Sequence, residues 1–240
     1  MTARCAFYDP GGEVDYFAMM TADITRTKIL LTDAKGWIKK DMPDEPDFYG
    51  FIERKIASYH SRFKFDYHVC EKNNIGTTVI GSLRNRYRIP VIGITTSNNI
   101  TNEKILREGK SYNKDSTLAW INRFRAAGVI EFPRTMTPGL KLMKEHLDNF
   151  GSKKKGGRVV YEALHGHDDF VTCLNLCVHY AKKNFLNLPE IRTMIQFDGA
   201  ASDFYPKDTN SRLENGKLFA KNLLEKKGIL FDKIDIRFPS

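Results

Sequence analysis

No apolar stretch in this 240-residue chain approaches the ~20 residues needed to span a bilayer, and no apolar segment follows basic residues near the N-terminus. Both a membrane-spanning helix and a secretory leader are therefore not expected. Cysteine is also scarce. The four present, Cys5, Cys70, Cys173 and Cys177, show no paired spacing of the zinc-ligand kind. Three of them fall in apolar runs, so buried, reduced thiols in an intracellular compartment are expected. There is no internal repeat, coiled-coil heptad or long low-complexity tract, which sets aside solenoids, coiled coils and extended disorder.

What remains is a basic globular chain. Lys and Arg outnumber Asp and Glu by 38 to 29, and 41% of residues are hydrophobic, enough for a sizeable core. A sequence pI near 9.3 makes nucleic acid a candidate partner.

Turn signals and periodicity outline an α/β chain. Residues 5–8, 16–22 and 28–32 read as a three-stranded antiparallel meander, and a helix over 47–59 leads to a strand over 65–70. A helix over 75–87 followed by a strand over 90–95 completes a β-α-β unit, which makes this part of the sheet parallel. Further helices are expected over 116–127, 138–149 and 168–183, with Gly128 ending the first and Asp168 capping the last. The run 151–157, GSKKKGG, reads as an exposed, mobile hairpin tip before a strand over 158–164. A core over 1–187 and an extension over 188–240 are expected, the latter with a helix over 213–227.

Three groups of carboxylates stand where apolar runs end. They are Asp9 in CAFYDPGGEVDY, Glu71 in YHVCEKNNIG, and Asp168 with Asp169 in LHGHDDFVTCL. Oxygen ligands held on rigid elements suit hard cations such as Mg²⁺ or Mn²⁺. Two such ions can activate water and stabilise a leaving oxygen in phosphodiester hydrolysis. Asp9 would bridge the ions, Glu71 would bind one, and Asp168 or Asp169 the other, the choice between them being open within one helical turn. Asp15 is a further outer-ligand candidate. Each carboxylate, taken singly, also fits a turn or cap role.

These motifs resemble the nuclease domain of tailed-bacteriophage large terminase subunits. The family's first motif, an Asp before a glycine turn and a second Asp-Tyr, is matched by Asp9 to Gly12 and Asp15-Tyr16. The second, an acidic residue followed by Asn and Gly, is matched by Glu71, Asn73 or Asn74, and Gly76. The third is matched by His167-Asp168-Asp169. The resemblance spans about 5–183. It implies an RNase H-like mixed sheet, an antiparallel meander plus parallel strands flanked by helices. It also implies Mg²⁺ or Mn²⁺ held by Asp9, Glu71, Asp168 and Asp169, with Asp15 beside them.

The activity implied is endonucleolytic cutting of concatemeric viral double-stranded DNA during packaging, with little sequence preference and 5′-phosphate and 3′-hydroxyl products. Implied partners are an ATPase motor domain, a small terminase subunit and a portal, in the cytoplasm of an infected bacterial host. The chain departs from a complete large terminase in lacking the G-x-x-x-x-G-K-[ST] phosphate loop, and reads as an isolated nuclease domain or a piece of a motor protein.

Lys153, Lys154, Lys155 and Arg158 form the densest basic site and are candidates for tracking DNA phosphates. Arg84, Arg86, Arg88, Lys104, Arg107, Lys110 and Lys114 are secondary candidates. His165 and His167 fit either a role beside the Asp pair or a structural one. Rival readings are an RNase H-like junction resolvase and a noncatalytic DNA-binding or capsid-docking module.

Overall fold

The computed structural model describes residues 2–11, 14–73, 75–96, 111–112, 114–155, 158–163 and 166–191, with backbone alone over 111–119 and 152–162. The chain divides into two compact units, Met1–Asp198 and Gly199–Ser240, and every described residue lies in the first. The helix expected over 213–227 lies outside the described residues.

The meander forms as its alternation predicts. β1 (Ala3–Asp9) pairs antiparallel with β2 (Phe17–Ile24), and β2 pairs with β3 (Ile29–Trp37). α1 (Phe48–Phe63) begins where Asp47 accepts a hydrogen bond from the Gly50 amide at 3.0 Å, a side-chain cap for an otherwise unpaired N–H. The chain returns as β4 (Tyr67–Glu71), parallel to β1, then passes through α2 (Gly76–Tyr87) to β5 (Val91–Thr96), parallel to β4. A short β6 (Ser111–Tyr112) adds to β5.

α3 (Lys114–Ala126) stops at Gly128, whose φ of +59° suits glycine, and β7 (Ile130–Glu131) joins β3. α4 (Pro138–Asp148) opens on Pro138 at a first-turn position with Thr137 as its cap. The hairpin of β8 (Phe150–Lys155) and β9 (Arg158–Ala163) precedes α5 (Asp169–Asn184).

The main sheet has the order β6-β5-β4-β1-β2-β3-β7, a mixed sheet as expected. Successive residues of β1 face opposite sides. Ala6 and Tyr8 pack with Ile52, Ile56 and Leu83 of α1 and α2, whereas Cys5 and Phe7 pack with Phe124, Met143 and Cys173 of α3, α4 and α5. With both faces buried, a one-residue slip would exchange Phe7 and Tyr8 between two cores, so the register that places Asp9 is strongly specified. All four cysteines are free and buried.

Residues 151–155, expected in an exposed loop, form strand β8, with Lys153, Lys154 and Lys155 opposite Val160, Val159 and Arg158. The lysine run carries no strand signal of its own; the β-branched Val159-Val160 run of the partner strand supplies the β propensity. Among the described residues, no helix is long and apolar enough to cross a membrane.

Candidate active site

Parallel pairing of Tyr8 with Cys70 sets Asp9 and Glu71 side by side at the ends of neighbouring strands. By alternation both face α5, the side occupied by Phe7 and Val69. α5 packs directly on these strands, and its Cys173 thiol lies 3.7 Å from the Phe7 carbonyl and 3.5 Å from that of Ala18. This docking carries Asp169, in the first turn of α5, to the same place.

Two glycines of the motifs are required by close approach. A Cβ on Gly76 would stand 1.9 Å from the Glu71 carbonyl oxygen, and one on Gly11 would stand 2.0 Å from that of Tyr16. The first lets α2 start directly beneath Glu71. The second folds the turn after Asp9 so that Asp15 and Tyr16 return toward the strand end.

Asp9 and Asp169 are 8% and 7% exposed, unusual for carboxylates with no Lys or Arg paired to them among the described residues. Burial first, then the Glu71 charge and a side-chain hydrogen bond with Glu71, and then the Asp169 charge, hold the Asp9 carboxyl well above the usual range; a bond from Thr172 works against them. Neighbouring carboxylates crowd negative charge into a buried place that holds no compensating Lys or Arg among the described residues. Burial, followed by the Asp15 charge, raises Asp169 to about 6. Its Oδ2 is buried without a hydrogen-bond partner.

Asp15 is exposed and joins the group through His167, whose Nδ1 lies 3.3 Å from Asp15 Oδ1 and 3.8 Å from Asp169 Oδ2. His167 stacks on His146, and Tyr16 packs against both rings. Asp168 precedes α5 and makes no side-chain cap bond to it, while its carbonyl accepts from the amides of Val171 and Thr172. His165 lies outside the described residues.

The structure thus brings Asp9, Glu71 and Asp169 together, with Asp15 at the margin. Among the described residues, no group of three or more His, Cys, Asp or Glu side chains is arranged to hold a metal ion. A cavity of 380 Å³ lined by Arg4, Met19, Asp33, Tyr59, Phe63 and Thr137 contains none of these carboxylates.

Residues invisible to motif reading complete the site. Thr172, in the first turn of α5, works to lower the Asp9 carboxyl, and Thr96 at the end of β5 bonds Glu71. Of the basic candidates, Arg84 is engaged with the Val91 carbonyl, Arg86 is exposed beside Glu53, and Arg88 caps α2. The side chains of Lys153, Lys154, Lys155, Arg158 and Lys114, and all of Lys104, Arg107 and Lys110, lie outside what is described.

No protein-family model matches the sequence, and no curated protein is significantly similar to it. Among solved structures, the chain is similar to the large terminase nuclease of thermophilic phage G20c with bound magnesium. That match has 17% identity, a TM-score of 0.52, and covers 74% of this chain and 80% of that one. It is also similar to the large terminase of a second thermophilic bacteriophage, at 10% identity and a TM-score of 0.53, covering 74% of this chain but 39% of that longer one. The chain has the RNase H-like fold of large terminase nuclease domains.

Proposed function

We propose that this chain is a metal-dependent endonuclease that hydrolyses double-stranded DNA with little sequence preference. The observation that carries the reading is the gathering of Asp9, Glu71 and Asp169, from three separate parts of the sequence, at one end of the sheet. Their donor set is oxygen alone, and Asp169 Oδ2, buried without a hydrogen bond and with His167 Nδ1 no nearer than 3.8 Å, is an oxygen that a cation would satisfy. Both features fit Mg²⁺ or Mn²⁺ and fit zinc poorly.

In this reading Asp9, Glu71 and Asp169 would hold the ions, with Asp168 and Asp15 as further candidates. The ions, when bound, supply activation of the attacking water and neutralise charge at the phosphorus. The residues' own contribution is to fix that charge rigidly. Asp9 is anchored by its strand, and Asp169 by the first turn of α5. Lys153, Lys154, Lys155 and Arg158 are proposed to track the phosphates of the duplex.

The fold shared with the large terminases of the two thermophilic phages supports a place in viral DNA packaging. There the chain would cut concatemers in the cytoplasm of an infected bacterium, beside an ATPase motor, a small terminase subunit and a portal. The absence of a three-ligand metal arrangement among the described residues favours a second reading, a noncatalytic DNA-binding or docking module.

Nicking of supercoiled plasmid in Mg²⁺ or Mn²⁺ separates the two. The endonuclease reading expects cleavage that is lost in Asp9→Ala and Glu71→Ala, while folding and DNA binding persist. Unchanged cleavage in those variants removes the site assignment, and no cleavage by the unaltered chain in either metal supports the module. Preference for four-way junctions over linear duplex would point to a resolvase.

A further inference from the structure

We infer that Thr96 is a positioning residue for Glu71, and that together with Asn73 it commits Glu71 to hold a cation through Oε2 alone. The inference rests on the endonuclease reading above and concerns how its Glu71 is aimed.

Glu71 ends β4 and stands in register with Ile94 of β5, so Thr96, two residues further, projects from the same face just beyond it. The Thr96 hydroxyl bonds Glu71 Oε1. Asn73 Nδ2 reaches the same oxygen at 3.2 Å, the Thr96 hydroxyl at 2.8 Å and the Thr96 carbonyl at 2.9 Å. Donor counting fixes the protons in this ring. Glu71 Oε1 and the Thr96 carbonyl only accept, so the Asn73 atom facing both is the amide nitrogen. The hydroxyl has a single proton; it accepts from Asn73 and must donate to Glu71.

The two Asn73 protons serve three acceptors, so the longest contact, at 3.2 Å to Oε1, shares one of them; together with the Thr96 proton it engages Oε1 and leaves Oε2 to the site. The carboxylate is also held at two points. It cannot turn about its terminal torsion, a broad and soft one in glutamate, without breaking two charge-assisted bonds. Partners that orient a metal ligand in this way commonly govern affinity by about ten- to hundred-fold. No local motif announces Thr96, because it reaches Glu71 only through the pairing of β4 with β5.

Isothermal titration of Mn²⁺ into the full chain and its Thr96→Val, Thr96→Ala and Thr96→Ser variants tests the assignment, with thermal melting in EDTA alongside. Thr96→Val and Thr96→Ala should bind Mn²⁺ about ten- to hundred-fold more weakly, and either one that melts like the unaltered chain suffices for the comparison. Thr96→Ser, which keeps the hydroxyl, should restore most of the affinity, and plasmid nicking by the valine and alanine variants should lose kcat with KM for DNA unchanged.

Unaltered Mn²⁺ affinity in the valine and alanine variants overturns the inference and leaves the endonuclease reading standing. So does a serine variant as weak as valine. An unaltered chain that binds no Mn²⁺ overturns the endonuclease reading, and this inference with it.

Discussion

The buried relay on the opposite face of β1 makes a quantitative prediction about acid stability. Tyr8 Oη lies 2.6 Å from His68 Nδ1, and His68 Nε2 lies 2.9 Å from His60 Nδ1. With Tyr8 donating to His68 and His68 donating to His60, both rings are neutral and each contact is a proper hydrogen bond. His68 is 1% exposed, and burial, reinforced by His60, lowers its pKa from 6.5 to about 3. Burial also lowers His60.

The unfolded chain protonates His68 near pH 6.5, while the folded chain resists until about pH 3. Stability from the neutral ring is therefore fully present above pH 6.5 and lost as pH falls toward 3. At about 1.4 kcal/mol per pH unit, the loss across that window is about 5 kcal/mol, comparable with the whole stability of a modest domain. Urea unfolding from pH 8 to pH 4 captures about 3.5 kcal/mol of it. His68→Gln, which can still accept from Tyr8 and donate to His60, serves as the non-titrating reference. The unaltered chain should lose stability faster than the glutamine variant below pH 6.5. Parallel curves for the two proteins would refute the claim that a buried neutral imidazole is responsible.

Two further outcomes follow from the site. Gly76→Ala would put a methyl 1.9 Å from the Glu71 carbonyl oxygen, so backbone must move by about 1 Å at the strand end. Nicking should fall about a hundredfold, with melting temperature lowered and DNA affinity retained; wild-type cleavage would show that Gly76 does not set Glu71. Joint replacement of Lys153, Lys154 and Lys155 by Ala should weaken duplex binding without regard to sequence and reduce the salt slope by up to ~2.7; an unchanged slope in fluorescence anisotropy would place the phosphate contacts elsewhere.

Much of the architecture is legible in local pattern. The Pro10-Gly11-Gly12 break, the apolar alternation on either side of it and the helical spacing of Phe48, Ile52 and Ile56 announce elements that form where expected. The strand over 150–155 is not legible, because three lysines carry no β signal and the pairing partner, Val159-Val160, comes afterwards in sequence. β6 escapes for a related reason, since two residues at a sheet edge make no periodicity.

The site divides in the same way. Asp9 and Glu71 stand out as carboxylates at strand ends beside glycine turns. Thr96 and Thr172 do not, because a hydroxyl that braces a carboxylate is chosen by strand register and helix docking 25 and more than 160 residues away. Asp168 and Asp169 are inseparable by spacing, whereas the docking of α5 buries Asp169 and puts its charge on Asp9.

An anomalous difference map from a crystal soaked in Mn²⁺ tests the central claim most directly. One or two peaks are expected within coordinating distance of the carboxylate oxygens of Asp9, Glu71 and Asp169, with Glu71 contributing Oε2. Manganese bound elsewhere on the chain, with those three carboxylates left bare at saturating metal, would contradict it.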